Sequence, residues 1–302
     1  MNDNPGQIVE LRADEITSLV ERKATCPFIG STVAQGKLPV RNDANDPLAS
    51  IEDIRRLGNT GGGDLGDLLA LFASGNHAFM RGASGKLDKN VPDGLFSLEF
   101  PGSQGSHPGH SGILQGDPET PGSGRPSEAD LERLTSRARD GWISRWDVGR
   151  FIAENLIKDP KSKVFGVNTV ALLDSDFVTF VEASGSALMH KLFGSVEEAS
   201  AAGRDTREKF TKLAGEDNLI GSAGEFGLLF AFLANKPGNR EAGGEPMVDV
   251  QDVRAMFVDK RLPDGWENWK KTSRDWVTHT TGLVVIAGKE YLALKRARSI
   301  GA

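Results

Sequence analysis

The segment Ala223 to Ala234 carries apolar side chains around its whole circumference. Such a helix is stable only when buried, so the chain must fold around it. Other segments offer partners. Residues 7–24 place Ile8, Leu11, Ile16, Leu19 and Val20 at helical spacing, with Asp14 and Glu15 near the start, and predict an amphipathic helix. Ser50 caps a helix running to about Leu57, and Asp64 starts a strongly apolar one from Leu65 to Phe79. Ser127 caps a helix to Arg137, and Arg145 to Ile157 forms the next. Phe165 to Phe193 is apolar and reads as helical on its length; Ser195 caps a charged helix to about Leu213. Val248 to Lys260 is amphipathic, and Trp269 to Arg298 makes one or two closing helices. Helical periodicity prevails over strand alternation, so the expected class is mainly α, without an internal repeat.

The 302 residues fit one large domain, taken here as 1–302, with a helical extension over 267–302. Between Arg81 and Pro126 the composition shifts to glycine, proline, serine and aspartate, which predicts a long loop insertion. A net charge of −6 with no basic stripe argues against a nucleic-acid partner. The longest apolar run near the C-terminus, Gly282 to Gly288, is far too short to span a membrane. The N-terminal residues lack the basic-then-apolar plan of a signal peptide, so a cytoplasmic protein is expected. Oligomeric state is left open by the sequence.

Chemistry concentrates at Cys26, the single cysteine, which excludes an internal disulfide. Pro27 suits the first position of a helix, Gly36 stops that helix, and Pro39 keeps it from resuming. Cys26 is thereby predicted at a helix N-terminus, where free N–H groups favour the thiolate, a nucleophile or metal ligand. The plainer alternative is a buried structural thiol.

The order Cys26-Pro27, short apolar helix, Gly36-Lys37-Leu38-Pro39 and polar helix start at Ala49-Ser50-Ile51-Glu52 resembles the haem-thiolate peroxidases, the chloroperoxidase and unspecific-peroxygenase family. Glu225-Phe226-Gly227-Leu228-Leu229-Phe230 resembles the family segment that begins with the distal acid–base glutamate. Val250 through Phe257 to Arg261-Leu262-Pro263-Asp264-Gly265-Trp266 resembles the end of the family's catalytic domain. The likeness covers roughly residues 20 to 270. It implies a helical domain of the chloroperoxidase fold that binds haem b through Cys26, with Pro27, Phe28, Asp140 and Phe226 at the cofactor. Glu225 would be the catalytic acid–base, and Arg139 would assist it or neutralise a propionate. Hydrogen peroxide and a small apolar or aromatic substrate would be the partners. Thr25 replaces the first proline of the family's Pro-Cys-Pro motif, which implies a looser ligand loop.

Each role has a plain competitor. A glutamate among Ile220, Ala223, Phe226, Leu228, Leu229 and Phe230 should have a raised pKa suited to acid–base work, but ion-paired or capping glutamates also occur on helices. Arg139 is equally a solvated helix-end arginine. The family's metal triplet aligns on Ala138-Arg139-Asp140, followed by Ser144-Arg145-Trp146-Asp147. Ala138 stands where a glutamate would hold magnesium or manganese, so that divalent cation is not expected.

The same stretch resembles the second half of a calcium loop, although Ala138 again occupies a ligand position. Asp88 to Glu99 is loop-like with its Asp-Gly one residue late. A haem-free, calcium-binding helical protein is therefore the alternative function. His107 and His110 lie in the long loop, His77 ends the Leu65–Phe79 helix, and His190 and His279 show no partner in sequence.

Overall fold

The structure is a computed structural model that describes residues 6–24, 26–42, 46–70, 73, 94–98, 113, 126–158 and 218–300. The helices expected over Phe165–Phe193 and Ser195–Leu213 lie outside the described residues, as do His77, His107, His110, His190 and Asp88. What is described is mainly helical. No helix among the described residues is long and apolar enough to cross a membrane.

Helix α1 (Ala13–Arg22) starts later than the hydrophobic pattern suggested. Glu15 accepts the Arg12 N–H at 2.9 Å and fixes that start, while Ile8 is drawn into a bridge with Arg41. Helix α2 (Pro27–Ala34) has Pro27 at its first position and Cys26 as its N-cap residue. After strands β1 (Arg41–Asn42) and β2 (Pro47–Ser50) comes α3 (Ile51–Gly58), capped by the Ser50 hydroxyl, which accepts from Asp53 N. Residues 65–70 are helical, as expected for the start of that apolar segment.

The stretch expected as a loop contains strand β3 (Leu95–Ser97), antiparallel to β2 with Ala49 opposite Phe96. Leu95, Phe96, Leu98 and Ile113 are all buried. The glycine- and proline-rich composition hid this because three buried residues make too short a run to stand out against it.

Helix α4 (Glu128–Thr135), capped by Ser127, leads through a turn into β4 (Trp142–Ile143) and α5 (Arg145–Lys158). Helix α6 (Asn218–Leu233) is the all-apolar segment, begun five residues earlier than expected, and packs against both α5 and the closing helix. The hairpin β5 (Glu241–Ala242) and β6 (Glu245–Pro246) follows, then β7 (Val248–Asp249) and α7 (Val250–Phe257). Helix α8 (Ser273–Ile300) is one continuous rod lying on α5 and α6.

Strand β4 pairs antiparallel with β7, Ile143 opposite Val248 and Trp142 opposite Asp249. On both sides of this ladder the chain repeats a pattern: Ile143-Ser144-Arg145-Trp146-Asp147-Val148 and Val248-Asp249-Val250-Gln251-Asp252-Val253. Each strand feeds a helix with a polar N-cap and an aspartate three positions on.

The core joins distant segments through aromatic rings. Phe28 stacks on Phe232 with centroids 4.7 Å apart and meets Trp266 at 5.6 Å; Trp266 meets Trp269 at 5.7 Å. The buried Lys271 ammonium lies 4.2 Å from the Trp266 ring and 4.4 Å from the Trp269 ring. It donates to Thr60 Oγ1 at 3.2 Å, Trp266 O at 2.5 Å and Trp269 O at 2.9 Å. Burial pushes this lysine down to about 7, while three acceptors and two indole faces support its charged form. Gly61 (φ 69°) lets the backbone approach this clamp; a Cβ there would stand 2.0 Å from Trp269 O.

Candidate functional site

Cys26 is a free, half-buried cysteine whose backbone (φ −54°, ψ 126°) breaks into α2 at Pro27. Its side chain packs on the hydrophobic core. Burial pushes the thiol pKa up. The amides of Ile29 and Phe28 and the Lys260 ammonium act in the opposite direction, and the charge of Glu225 adds to the rise. No side-chain cap hydrogen bond forms at this helix start. The expectation that the helix start alone would favour the thiolate is thus corrected: withdrawal from water outweighs the helix end.

Glu225 comes to this neighbourhood through α6. Seven residues, close to two turns, separate it from Phe232, so both lie on one helix face. Phe232 stacks on Phe28, two residues after Cys26. Glu225 is half-buried, and its charge adds to the rise of the Cys26 pKa. The other faces of α6 are occupied by packing: Phe226 meets Phe151 edge-on at 5.9 Å, Gly227 abuts Thr280, and Phe230 lies 5.3 Å from His279.

Lys260 was not singled out by the sequence. It follows α7 in a left-handed conformation (φ 50°), and its Cδ lies 3.6 Å from where a Cβ of Gly30 would stand. Gly30 is one turn beyond Cys26, so the missing side chain leaves a track for the lysine along α2. Two bonds fix the end of α7 on α2: Ser31 Oγ donates to Met256 O at 3.3 Å, and Leu262 N donates to Gln35 Oε1 at 3.1 Å. Burial lowers the lysine's pKa, while the charges of Cys26 and Glu21 raise it. The only sequence signal was a lysine just before the Arg261-Leu262-Pro263 turn, which by itself names no role.

The other expected site residues fall elsewhere. Pro27 is buried at the first turn of α2; Phe28 and Phe226 are fully buried in ring packing. Arg139 is exposed and pairs through its backbone with Trp142; Asp140 is exposed in the adjoining turn with φ 52°. No contact among the described residues links Arg139 or Asp140 to Cys26 or Glu225. Asp147 accepts from Ser144 N at 2.9 Å and Ser144 Oγ at 2.6 Å, and Arg145 pairs with Glu245. These residues shape helix ends and element contacts.

Among the described residues, no group of three histidine, cysteine or carboxylate side chains is arranged to hold a metal ion. An open polar hollow of about 620 Å³ is lined by residues including Asn235, Asn268, Trp269, Lys270, Arg274 and Asp275, with none of the expected site residues on its wall. What the described residues offer haem iron is donor chemistry: one soft sulfur, half-buried at the neck of a helix. Comparison with protein-family models, with curated proteins and with solved structures gives no match to this chain.

Proposed function

We propose that the chain is a haem-thiolate peroxidase or peroxygenase, with Cys26 as proximal ligand and Glu225 as acid–base, acting with hydrogen peroxide on a small apolar or aromatic substrate. One observation supports this above the rest. Two motifs far apart in sequence lie on elements that pack together: Phe232, two turns along α6 from Glu225, stacks on Phe28, two residues after Cys26.

Haem held by a thiolate would supply peroxide O–O cleavage, the sulfur pushing electron density toward the iron. The protein's own part is proton handling and exclusion of water. The Glu225 carboxylate would accept a proton from one peroxide oxygen and return it to the departing one, which suits a half-buried carboxylate on an otherwise apolar helix. Burial of the Cys26 thiol keeps it protonated until a cation meets it, so cofactor uptake would release that proton. Lys260 would offset the new charge from the α7 side. Neither Arg139 nor a divalent metal is assigned a part.

The purified protein, supplied with hemin, should turn red-brown and give a ferrous–CO band at the long wavelength typical of thiolate ligation. Cys26→Ala should abolish that band. Glu225→Gln should keep haem and lose at least about a hundredfold in peroxide turnover. A preparation that takes up no hemin would reject the function; full turnover in Glu225→Gln would reject only the glutamate's role.

A further inference from the structure

Lys271 is fully buried, and among the described residues no carboxylate bonds its nitrogen. Its three hydrogen-bond partners are neutral: Thr60 Oγ1, Trp266 O and Trp269 O. The two carbonyls can only accept, whereas the hydroxyl can accept or donate. Thr60 Oγ1 stands 3.2 Å from Lys271 Nζ and 3.3 Å from Leu57 O. Leu57 O in turn accepts the Trp266 indole N–H at 3.2 Å. An unbroken relay therefore runs from the lysine nitrogen, through hydroxyl and carbonyl, to the indole.

The relay satisfies both protonation states of the lysine. As an ammonium, Lys271 donates to all three acceptors, and Thr60 turns its proton to Leu57 O, which it then shares with the indole. As an amine, Lys271 donates to the two carbonyls, its lone pair takes the Thr60 proton, and Leu57 O is left to the indole alone. None of these groups is orphaned in either state, so neither state carries the cost of an unpaired buried group. Burial opposes the charged form and lowers the pKa to about 7, while the charge of Glu267 supports it. Glu267 is exposed and pairs with Lys37. The other ionic groups around the junction are engaged elsewhere or exposed. Asp64 accepts Ser273 N at 2.8 Å, Asp275 accepts Asn235 Nδ2 at 2.8 Å, and Arg55 pairs with Asp67 at 3.1 Å; Lys270 and Arg274 face solvent.

We propose that Thr60 and Lys271 form a proton switch built into this junction: the hydroxyl reverses its bond when the lysine gains or loses a proton, and Leu57 O passes the change to the Trp266 indole. Trp266 also meets Phe28 at 5.6 Å, so the switch acts on the ring set that joins α2, α6 and the segment after α7. It is independent of any chemistry at Cys26. The unfolded lysine keeps its proton up to about pH 10.5, whereas the folded one releases it from about pH 7. The unfolded state thus binds more protons between those values, and this group adds stability as pH rises through them.

The test follows the indole N–H resonances of the five tryptophans in the full chain by heteronuclear NMR, titrated between about pH 5 and about pH 9, with Trp266 assigned through its backbone. In wild type the Trp266 signal should move with one midpoint near 7. Lys271→Met, neutral and of similar length, should abolish that movement. Thr60→Val keeps the lysine but breaks the relay, and should at least halve the movement; Thr60→Ser should restore it. Urea midpoints should climb with pH above about 7 more steeply in wild type than in Lys271→Met. A Trp266 signal that stays fixed in folded wild type, equal movement in Lys271→Met or Thr60→Val, or parallel urea slopes would overturn the proposal. Should Lys271→Met fail to fold, the contrast between Thr60→Val and Thr60→Ser decides.

Discussion

Two glycines three residues apart in α6 meet opposite surroundings. A Cβ at Gly227 would stand 2.0 Å from Thr280 Oγ1 and 3.1 Å from Thr280 Cβ, whereas nothing lies within 4 Å of one at Gly224. Gly227→Ala should therefore push α6 from α8 and cost about 1–3 kcal/mol. Gly224→Ala should gain up to about 1 kcal/mol, because alanine loses less backbone freedom in a helix. Urea denaturation should shift the two midpoints in opposite directions, and a shared direction would refute the close crossing. Both residues look alike in the sequence; the difference lies in what crosses them. Cys26 teaches the same at the level of charge. Its helix-end position was legible from Pro27 and Gly36, but its protonation depends on burial that no local pattern records.

Between elements, the contact of α6 with α8 holds a histidine that the sequence left without a partner. His279 is buried beside Phe230. Burial, and secondarily the charge of Arg145, lowers its pKa from 6.5 to about 4 against an opposing effect of Asp275. The folded state thus stays neutral where the unfolded chain takes up a proton. Stability from this group is complete above about pH 6.5 and is lost as pH falls toward 4, at up to about 1.4 kcal/mol per pH unit. His279→Gln should melt with a shallower decline across that window than wild type; identical slopes would assign the acid sensitivity to other groups. Caps were legible at this scale, since Ser50 and Ser127 each begin the helix their sequence announced. Strand β3 and the β4–β7 ladder were not, because runs of two or three residues carry no readable period.

For the molecule as a whole, Phe28 ties α2 to α6 and to the segment after α7. Phe28→Ala should cost about 3–5 kcal/mol by opening a cavity where three distant segments meet. Tryptophan fluorescence and far-ultraviolet circular dichroism should report one shared urea transition at a lower midpoint. Separate transitions would show that these segments do not form a single cooperative unit. The sequence by itself determined the helical class, the buried nature of α6, the capped helix starts and the placing of Cys26 at a helix neck. Those follow from a 3.6-residue period and from chain-local donors and acceptors. Tertiary structure alone decided that Lys271 sits between two indoles, that Lys236 grips Asp252, and that Glu225 and Lys260 bear on one sulfur. Each of these depends on charges brought out of water by segments distant in the chain, and sequence spacing does not encode that proximity.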